Sequence, residues 1–594
     1  MTGRTVSQIA AGPLGPRLLF RMQKKTFFLL LAPVAVAASV DLLLMEKTHP
    51  REVHPVTGAA LAEAATSGDW LSYGRDYSNQ RYAPFTQISR QTVGRLEPLW
   101  KQGTHRLIKS YLRTESTPVV ADGMLIYTDP GMRLAEPGNH VIAVDVRTGK
   151  RIWGWYHKST NTSLCCGLVN RGVAVYGDKV YVGTLDAHLV ALDRRTGAVV
   201  WDRAVADPAG GYSFTMAPLA AGGKILIGTS GGEFRIRGFL DAYDAETGAR
   251  AWRFWTVPAP EEGGWWGRLA TTTPEGDPLP RDTAEERRDS AAYAESWRLG
   301  GGPVWTTPAY DPALGLVIFG IGNPSPVDGR TPPGDNLYTS SLAAVDLATG
   351  KLRWHYQMVP HNVWDYDPAS PPVLVDVVEQ GDTVPAVAHA GKTGWVYLLD
   401  RRTGTRVRRS EPFVPQRNMF AAPTPEGVLV APGTFGGSNW PSPAYSPLTG
   451  ALYVLGTNYP MRFKVDSAAG AAADRTVYQP GAPPHVFGVF ERVKNVETFG
   501  TFSAVDLATG KIRWQQKVRG KLNYGGALAT AGGLVFYPHA AYLEAVDDAT
   551  GEAVWRYRMA DGVIGPPISF VVDGEQRIAV TSTRGVTVFG LRKD

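Results

Sequence analysis

The chain has very little cysteine. Among its 594 residues only Cys165 and Cys166 are cysteines, and they are adjacent in "SLCCGLVNRG". A network of long-range disulfides is therefore excluded, and a bridge between neighbours closes only a tiny ring across Cα atoms about 3.8 Å apart. Three interpretations stay open: two buried reduced thiols, part of a soft-metal site that would need further ligands nearby, or a strained vicinal disulfide.

Two cofactor-attachment motifs are also missing. No C-x-x-C-H occurs, so the sequence offers no site for covalent attachment of a c-type haem. No G-x-G-x-x-G stands between a strand and a helix, which argues against a nicotinamide-dependent enzyme. After the N-terminal segment the sequence also lacks the repeated long apolar runs of a multi-span membrane domain.

The first 40 residues are typical of an export signal. Lys24 and Lys25 precede "TFFLLLAPVAVAAS", an apolar run in which Ala35 and Ala37 are small enough for a signal peptidase site. An uncleaved anchor is the alternative, weakened by Asp41 just after the run. The pattern predicts a targeting segment over 1–40, a linker over 41–68 and a periplasmic location, with translation starting at Met1 or Met22.

Basic residues of this segment account for most of the net charge. Removing 1–40 takes the formal charge from +6 to +1, because five basic residues and no acid leave with it: Arg4, Arg17, Arg21, Lys24 and Lys25. The pI of 9.0 therefore reflects targeting, and no nucleic-acid partner is predicted. Export also means an oxidising compartment, which favours the disulfide interpretation of the cysteine pair.

An internal repeat indicates the fold. Each copy is a short alternating strand, a turn with glycine where positive φ is needed, and a second strand ending in tryptophan. The copies are "AVDVRTGKRIW" (143–153), "ALDRRTGAVVW" (191–201), "AYDAETGARAW" (242–252), "AVDLATGKLRW" (344–354), "AVDLATGKIRW" (504–514), "AVDDATGEAVW" (545–555) and, degraded, "LLDRRTGTRVR" (398–408). The glycines mostly recur every 41 to 54 residues, a spacing typical of propeller blades.

The predicted fold is all-β: an eight-bladed propeller over residues 69–594, with the tryptophans packing between neighbouring blades. Helices should be few, with one short surface helix in 282–297 and a loose loop over 466–475. Ligands of a propeller lie on its axis, so residues that interrupt the repeat on inner loops are candidates for function.

Three oxygen-bearing side chains stand out there. Glu233 lies in "GTSGGEFRIRG", Asn323 in "GIGNPSP" and Asp365 in "PHNVWDYDP", each in a glycine- or proline-rich loop next to a strand. Two carboxylates and an amide oxygen suit a hard cation such as calcium better than zinc. Taken singly, each is also compatible with an ordinary loop residue.

These motifs resemble the quinoprotein alcohol dehydrogenases, eight-bladed propellers that use pyrroloquinoline quinone (PQQ). The resemblance runs from "DWLSYGRDYSNQRYAPFTQI" (69–88) to the last repeat and includes "CCGLVNRG", "TSGGEFRIRG", "GGPVW", "GIGNPSP" and "PHNVWDYD" in the family's order. It implies that Cys165 and Cys166 form a vicinal disulfide against one face of the quinone, with Trp305 stacked on the other. The further cofactor contacts it implies are Glu115, Arg171, Thr215, Ser230, Gly231, Gly232, Lys392 and Asn439.

The resemblance also implies a metal site and a mechanism. Glu233, Asn323 and Asp365 are similar to the family's metal ligands, Asp365 would be the general base, and Lys392 would stabilise the reduced quinone's oxygen. Asp367 resembles the extra carboxylate of lanthanide-dependent methanol dehydrogenases, although a similar "WD-x-D" occurs in glucose dehydrogenases that use divalent ions. The metal is therefore expected to be Ca²⁺ or a lanthanide ion.

The remaining expectations concern substrate and partners. Val327 stands where methanol dehydrogenases carry a tryptophan, so a primary alcohol larger than methanol is expected, and Tyr524 replaces a tryptophan commonly found in the family. Electrons would pass to a separate acceptor, a soluble cytochrome c. Alternatives are a PQQ-dependent aldose or polyol dehydrogenase and a non-catalytic periplasmic scaffold; a homodimer is compatible with the sequence, and membrane association would come only through an uncleaved N-terminus.

Overall fold

The repeat unit folds as a four-stranded antiparallel meander. The computed structural model describes residues 52–103, 115–133, 136–161, 164, 167–326, 331–465, 489–518, 520, 525–560, 562, 565–583 and 585–593. Within these ranges eight sheets contain such a meander, and a ninth, accessory sheet has three strands. The all-β prediction is confirmed.

We number the eight sheets in chain order by their first strands. The strands of sheets 1 to 4 are Val119–Ala121, Met124–Arg133, Glu136–Asp145 and Arg151–Lys158; Ala174–Tyr176, Lys179–Gly183, His188–Asp193 and Val199–Ala204; Leu219–Ala221, Lys224–Gly228, Phe239–Asp244 and Arg250–Trp255; Ala309–Asp311, Leu316–Ile321, Ser341–Asp346 and Leu352–Gln357.

Sheets 5 to 8 follow the same order, except that sheet 8 takes its fourth strand from the N-terminal part of the chain. Their strands are Val373–Glu379, Asp382–Ala390, Val396–Asp400 and Arg406–Arg409; Ala444–Ser446, Ala451–Asn458, Phe499–Asp506 and Ile512–Val518; Leu528–Thr530, Leu534–His539, Tyr542–Asp547 and Ala553–Arg558; Ile568–Val572, Glu575–Ser582, Gly585–Leu591 and Leu96–Gly103. Tyr82–Ala83 adds a short parallel strand to sheet 7, and the accessory sheet consists of Val428–Val430, Met461–Lys464 and Val489–Arg492.

Helices are few and short in the described part of the chain. The α-helices are Gly58–Ala62 and Thr283–Asp289, and the 3₁₀ helices are Ala64–Thr66, Val93–Arg95, Pro208–Gly210, Gly232–Phe234, Pro260–Glu262, Ser290–Tyr293 and Ser296–Leu299. The surface helix expected in 282–297 is confirmed, and Asp282 caps it by accepting from the amides of Ala284 and Glu285. None of these helices has the length and apolar character needed to cross a membrane.

The turn of each repeat is built by its aspartate, threonine and glycine. In sheet 3, Asp244 Oδ1 accepts from the backbone amide and the hydroxyl of Thr247, each at 2.8 Å. Gly248 follows with φ +66°, a left-handed conformation that costs glycine little. The other repeat glycines also have positive φ, as the pattern predicts.

The repeat tryptophans join each sheet to the next. Trp252 of sheet 3 donates through Nε1 to the carbonyl of Leu347 in sheet 4 at 2.9 Å, and a Cβ added to Gly350 would lie 2.6 Å from its ring. The same pairing of an outer-strand tryptophan with the next repeat glycine recurs at Trp100–Gly149, Trp153–Gly197, Trp201–Gly248, Trp354–Gly404 and Trp514–Gly551. The predicted packing role of the tryptophans is confirmed.

The degraded repeat keeps this contact with a different side chain. Arg408 takes the tryptophan position at the end of sheet 5, donates to the carbonyl of Leu507 at 2.9 Å and packs its side chain against Gly510. Between sheets 7 and 8, Trp555 meets Phe589 edge to face with centroids 5.8 Å apart. Each of sheets 1 to 7 thus contacts the next sheet, and Trp100 of sheet 8 contacts Gly149 of sheet 1.

The segment before sheet 1 crosses the first strands of several sheets. Arg81 is fully buried and donates to the carbonyls of Tyr73, Ala527 and Pro567. Asn79 donates to the carbonyls just before the first strands of sheets 4 and 5. This segment carries no repeat phrase, and its place was not predicted. Within the predicted linker 41–68, the described residues include the helix Gly58–Ala62, whose Leu61 is buried.

Candidate active site

The candidate residues come from two kinds of connection. Glu115, Arg171, Thr215, Trp305, Asp365, Asp367 and Asn439 precede the first strand of a sheet, whereas Ser230, Gly231, Gly232, Glu233, Asn323 and Lys392 follow a second strand. In an antiparallel meander these two connections lie at the same edge of the sheet. The repeat turns lie at the opposite end of the strands. The candidate residues therefore all lie at the same end of the strands in their sheets.

A buried lysine lies between two buried aspartates. Lys392 Nζ is 2.9 Å from Asp365 Oδ2 and 3.4 Å from Asp367 Oδ2, and all three residues are at most 6% exposed. They come from different connections, 365–367 before sheet 5 and 392 after its second strand. Burying an isolated charge costs much free energy. The Lys392 ammonium and the two carboxylates reduce this cost for one another by pairing.

Burial and mutual charge shift the pKa of all three groups. Burial raises the pKa of Asp365 well above its ordinary value, with Lys392 opposing the shift and Asp367 and Glu233 adding to it. Burial also raises the pKa of Asp367. Lys392 opposes this shift, but the net direction is upward. Burial tends to lower the pKa of Lys392, but Asp365 and Asp367 outweigh it and the net shift is upward. Lys392 is therefore charged at neutral pH.

One buried oxygen beside this cluster lacks a hydrogen-bond donor from the protein. Asn323 Oδ1 is buried without one, although such atoms are normally satisfied. The Asp367 carboxylate differs, because the backbone amide of Asn323 and the Trp305 side chain both interact with it and help to lower its pKa. A Cβ on Gly232 would lie 3.5 Å from Asn323 Oδ1, which brings the Glu233 turn next to Asn323. Amide and carboxylate oxygens are the ligands that a hard cation prefers, so these residues fit the implied metal ion by donor type.

The carboxylates are not gathered as a finished metal site. Among the described residues no group of three or more histidine, cysteine, aspartate or glutamate side chains is spaced to hold one ion. Lys392 instead holds the two aspartates. The residues fit a cation by donor type and by the unsatisfied Asn323 Oδ1, and the ammonium group supplies positive charge at the same place.

Arg171 organises a second cluster. Its guanidinium pairs with Glu115 at 2.7 Å, donates to Thr215 Oγ1 at 2.8 Å and to the Trp305 carbonyl at 3.2 Å. It also lies over the rings of Trp305 and Trp440, at 5.0 and 5.5 Å from the centroids. A buried arginine between two indoles can neutralise a carboxylated planar ligand while the aromatic faces contact its rings.

The loop that carries Glu233 is shaped by glycine. Ser230 Oγ lies 2.5 Å from Thr215 Oγ1, which joins this loop to the Arg171 cluster. Gly231 has φ +106°, and a Cβ there would lie 2.1 Å from the carbonyl oxygen of Gly211. Only glycine fits this position, so the predicted Gly231–Gly232 turn has a steric basis.

The loop of Lys392 is held by a glycine pair, Gly394 and Gly437, that was not predicted from the sequence. Gly437 donates to the Lys392 carbonyl at 2.7 Å, and a Cβ on Gly437 would lie 2.3 Å from the Gly394 Cα. Asn439 bonds locally, donating to the Phe435 carbonyl at 3.2 Å. Trp440 was also missed, although it directly follows Asn439 in "GGSNW" and the motif was a signal for it.

Some predicted residues lie outside the described residues: Cys165, Cys166, Val327, Tyr524, the targeting segment 1–40 and the loop 466–475. The vicinal disulfide and the size of the pocket at Val327 therefore stay predictions. Of the remaining candidates, the structure brings Asp365, Asp367 and Lys392 into direct contact, and Glu115, Arg171, Thr215, Ser230 and Trp305 into a second connected group.

Comparison with known proteins identifies the family of this chain. Residues 70–419 and 410–578 match the family described as "PQQ: Glucose/ethanol/alcohol dehydrogenase, beta-propeller domain". The chain belongs to the PQQ-dependent alcohol dehydrogenases. It is 34% identical to a quinoprotein ethanol dehydrogenase of Pseudomonas aeruginosa, over 89% of this chain and 90% of that protein. It is 32% identical to the quinoprotein alcohol dehydrogenase PedH of Pseudomonas putida, over 96% of this chain and 93% of that protein.

Solved structures of the family are similar to this PQQ-dependent dehydrogenase. A europium-containing methanol dehydrogenase superposes with a TM-score of 0.74 and 29% identity, over 90% of this chain and 100% of that one. The family membership confirms the predicted resemblance, the oxidoreductase class and the propeller architecture, and it excludes the non-catalytic scaffold.

Proposed function

We propose that this chain is an exported, metal-dependent PQQ dehydrogenase that oxidises a primary alcohol larger than methanol to the aldehyde. The eight docked sheets would be the eight blades of one propeller, with the site on its axis. The observation that supports this best is the buried Asp365–Lys392–Asp367 cluster beside the unsatisfied Oδ1 of Asn323.

Each residue of the site has a role that its chemistry supports. When bound, PQQ would supply the two-electron acceptor and the metal ion a Lewis acid. Asp365 takes the hydroxyl proton of the alcohol as the general base. Lys392 stabilises negative charge that develops within its reach. Arg171 and Glu115 orient the carboxylated cofactor, with Trp305 and Trp440 as its aromatic contacts.

We propose Asn323, Glu233, Asp365 and Asp367 as the metal ligands. A fourth oxygen donor, Asp367, adds negative charge that a trivalent ion gains from more than a divalent one does. One similar solved structure is a europium-containing methanol dehydrogenase, which supports a lanthanide. Ca²⁺ is the alternative.

The acceptor and the location follow from the sequence. No C-x-x-C-H occurs in the chain, which supports a separate cytochrome c as acceptor. The charged and apolar pattern of residues 1–40 supports export to the periplasm. An aldose or polyol substrate is the second candidate, because valine at position 327 is smaller than the tryptophan that methanol dehydrogenases carry there.

The test is reconstitution of metal-stripped protein with PQQ, ethanol and an artificial dye, with Ca²⁺ and La³⁺ added in parallel. We expect dye reduction with La³⁺, and its loss in Asp367→Asn while any Ca²⁺-supported activity remains. Activity with Ca²⁺ alone would remove Asp367 from the ligand set. If PQQ binds but ethanol is not oxidised, longer alcohols, sugars and polyols follow; absence of PQQ binding would overturn the proposal.

A further inference from the structure

The turn that carries Asp365 has an unusual backbone. Asp365 has φ +63°, in the left-handed region that costs a non-glycine residue about 1–2 kcal/mol. Its neighbours are anchored on a separate loop: Trp364 Nε1 donates to the Ala421 carbonyl at 2.9 Å, and Tyr366 OH donates to the Pro432 carbonyl at 2.8 Å. Anchors on both sides fix where the turn lies, but they do not bind its backbone.

The backbone of the turn is held by Asn362. Asn362 is fully buried, and its Oδ1 accepts from the amides of Trp364 at 3.0 Å and Tyr366 at 3.2 Å. The two amides flank Asp365, so one side-chain oxygen closes the turn around it. This bond pattern compensates for the left-handed conformation and keeps both amides satisfied away from water.

The other end of the same amide reaches a second loop of the site. Asn362 Nδ2 donates to Ser340 Oγ at 2.8 Å, and the Ser340 amide donates to the Gly322 carbonyl at 2.9 Å. Gly322 directly precedes Asn323, whose Oδ1 is unsatisfied. Asn362 therefore connects the backbone around Asp365 to the backbone next to Asn323.

We propose that Asn362 is a positioning residue that sets Asp365 relative to Asn323. It holds Asp365 in the left-handed turn through Oδ1 and fixes the distance to the Asn323 loop through Nδ2. This inference rests on the proposed function, because Asp365 and Asn323 are proposed metal ligands and Asp365 the proposed base. The Asn362 side chain itself is hydrogen-bonded to the amides of Trp364 and Tyr366 and to Ser340.

Loss of such supporting contacts typically lowers metal affinity or activity about 10- to 100-fold. Asn362→Ala removes both connections, so we expect metal affinity and kcat to fall by that factor while KM for the alcohol changes little. Asn362→Asp keeps an oxygen that both amides can bind, and the Ser340 hydroxyl can turn to donate to it. We therefore expect Asn362→Asp to recover most of the loss.

Gln576 offers a matched control. It is buried, its Oε1 accepts from the Ile88 amide at 2.8 Å, and its Nε2 donates to Ser569 Oγ at 3.1 Å. These are the same types of hydrogen bond that Asn362 makes. Gln576, however, lies near the turn between the first two strands of sheet 8, at the end of the strands opposite the site. Gln576→Ala should lower the free energy of unfolding without changing metal affinity or kcat.

The experiment measures three quantities for wild type, Asn362→Ala, Asn362→Asp and Gln576→Ala: urea stability, Tb³⁺ affinity by tryptophan-sensitised luminescence, and kcat and KM with PQQ and alcohol. Weaker Tb³⁺ binding and lower kcat in Asn362→Ala alone would support the proposal. Wild-type Tb³⁺ affinity in Asn362→Ala, or an equal loss in Gln576→Ala, would overturn it. A wild type that binds Tb³⁺ but oxidises no alcohol would overturn the proposed function, and the Tb³⁺ comparison would still decide the role of Asn362.

Discussion

Lys392 should be the main source of stability of the metal-free site. Lys392→Met keeps the length of the side chain but leaves Asp365 and Asp367 buried without their cation. At the observed distances of 2.9 and 3.4 Å, each attraction is worth about 5–6 kcal/mol at an effective dielectric constant of about 20. The net loss is smaller, because the methionine needs no desolvation of an ammonium group and an aspartate can take up a proton. Breaking a buried ion pair from one side typically costs about 3–5 kcal/mol, which is our expectation.

Lys179 provides the control for this change. It also contacts two carboxylates, Asp178 at 2.8 Å and Glu246 at 2.7 Å, but those side chains are 50% and 64% exposed. Solvent-exposed pairs are worth only about 0–1 kcal/mol. Lys179→Met should therefore cost far less than Lys392→Met, although the two substitutions are chemically identical.

The assay is urea unfolding of metal-stripped protein, read as a change in midpoint at constant m-value. La³⁺ should then stabilise Lys392→Met more than wild type, because the freed aspartates can bind the ion and binding to the native state adds stability. Equal losses in the two lysine variants, or no La³⁺ effect in Lys392→Met, would refute the assignment of this cluster as a cation site.

Two further predictions concern the fold. A Cβ at Gly350, where φ is +70°, would meet the ring of Trp252, whereas a Cβ at Gly223, where φ is +74°, would lie in open space. Gly350→Ala should therefore be less stable than Gly223→Ala by about 1–3 kcal/mol, the usual cost of overpacking. Equal midpoints in urea would contradict the docking role of the tryptophan. Burial lowers the pKa of His389 from its ordinary 6.5 to about 3, so below pH 6.5 the unfolded chain takes up a proton that the native state does not. Stability should fall as pH drops from about 6.5 towards about 3, by up to about 1.4 kcal/mol per pH unit, and His389→Leu should flatten this slope in urea midpoints measured between pH 4 and 7, which an unchanged slope would contradict.

The repeat could be predicted from the sequence because its signals are local. Aspartate, threonine, glycine and tryptophan lie within eleven residues of one another, and each copy repeats the same turn and the same docking contact. Arg408 shows the limit of this pattern. It makes the contact that a tryptophan makes in the other copies, and nothing in the degraded repeat predicts this. The pairing of the strand Leu96–Gly103 could not be predicted either, because its partner Gly585–Leu591 is almost 500 residues away in the chain.

The site residues could be named, but their contacts could not. Asp365 and Lys392 are 27 residues apart, and nothing between them predicts that the ammonium lies between two aspartates. Stacking of Arg171 on Trp440 joins two connections 269 residues apart, and the motif around Asn439 indicated only that this loop belongs to the site. Such contacts depend on how eight sheets are arranged, which local patterns do not encode.

Asp365 is the proposed base of a PQQ-dependent alcohol oxidation. The most direct test is an anaerobic single turnover of reconstituted protein with ethanol and with ethanol deuterated at the carbinol carbon, following the quinone absorbance. We expect wild type to reduce the cofactor more slowly with the deuterated alcohol, and Asp365→Asn to bind the cofactor but reduce it at least 100-fold more slowly, given the usual contribution of about 10²–10⁴ from a general base. Cofactor reduction by Asp365→Asn at the wild-type rate would show that Asp365 is not the base.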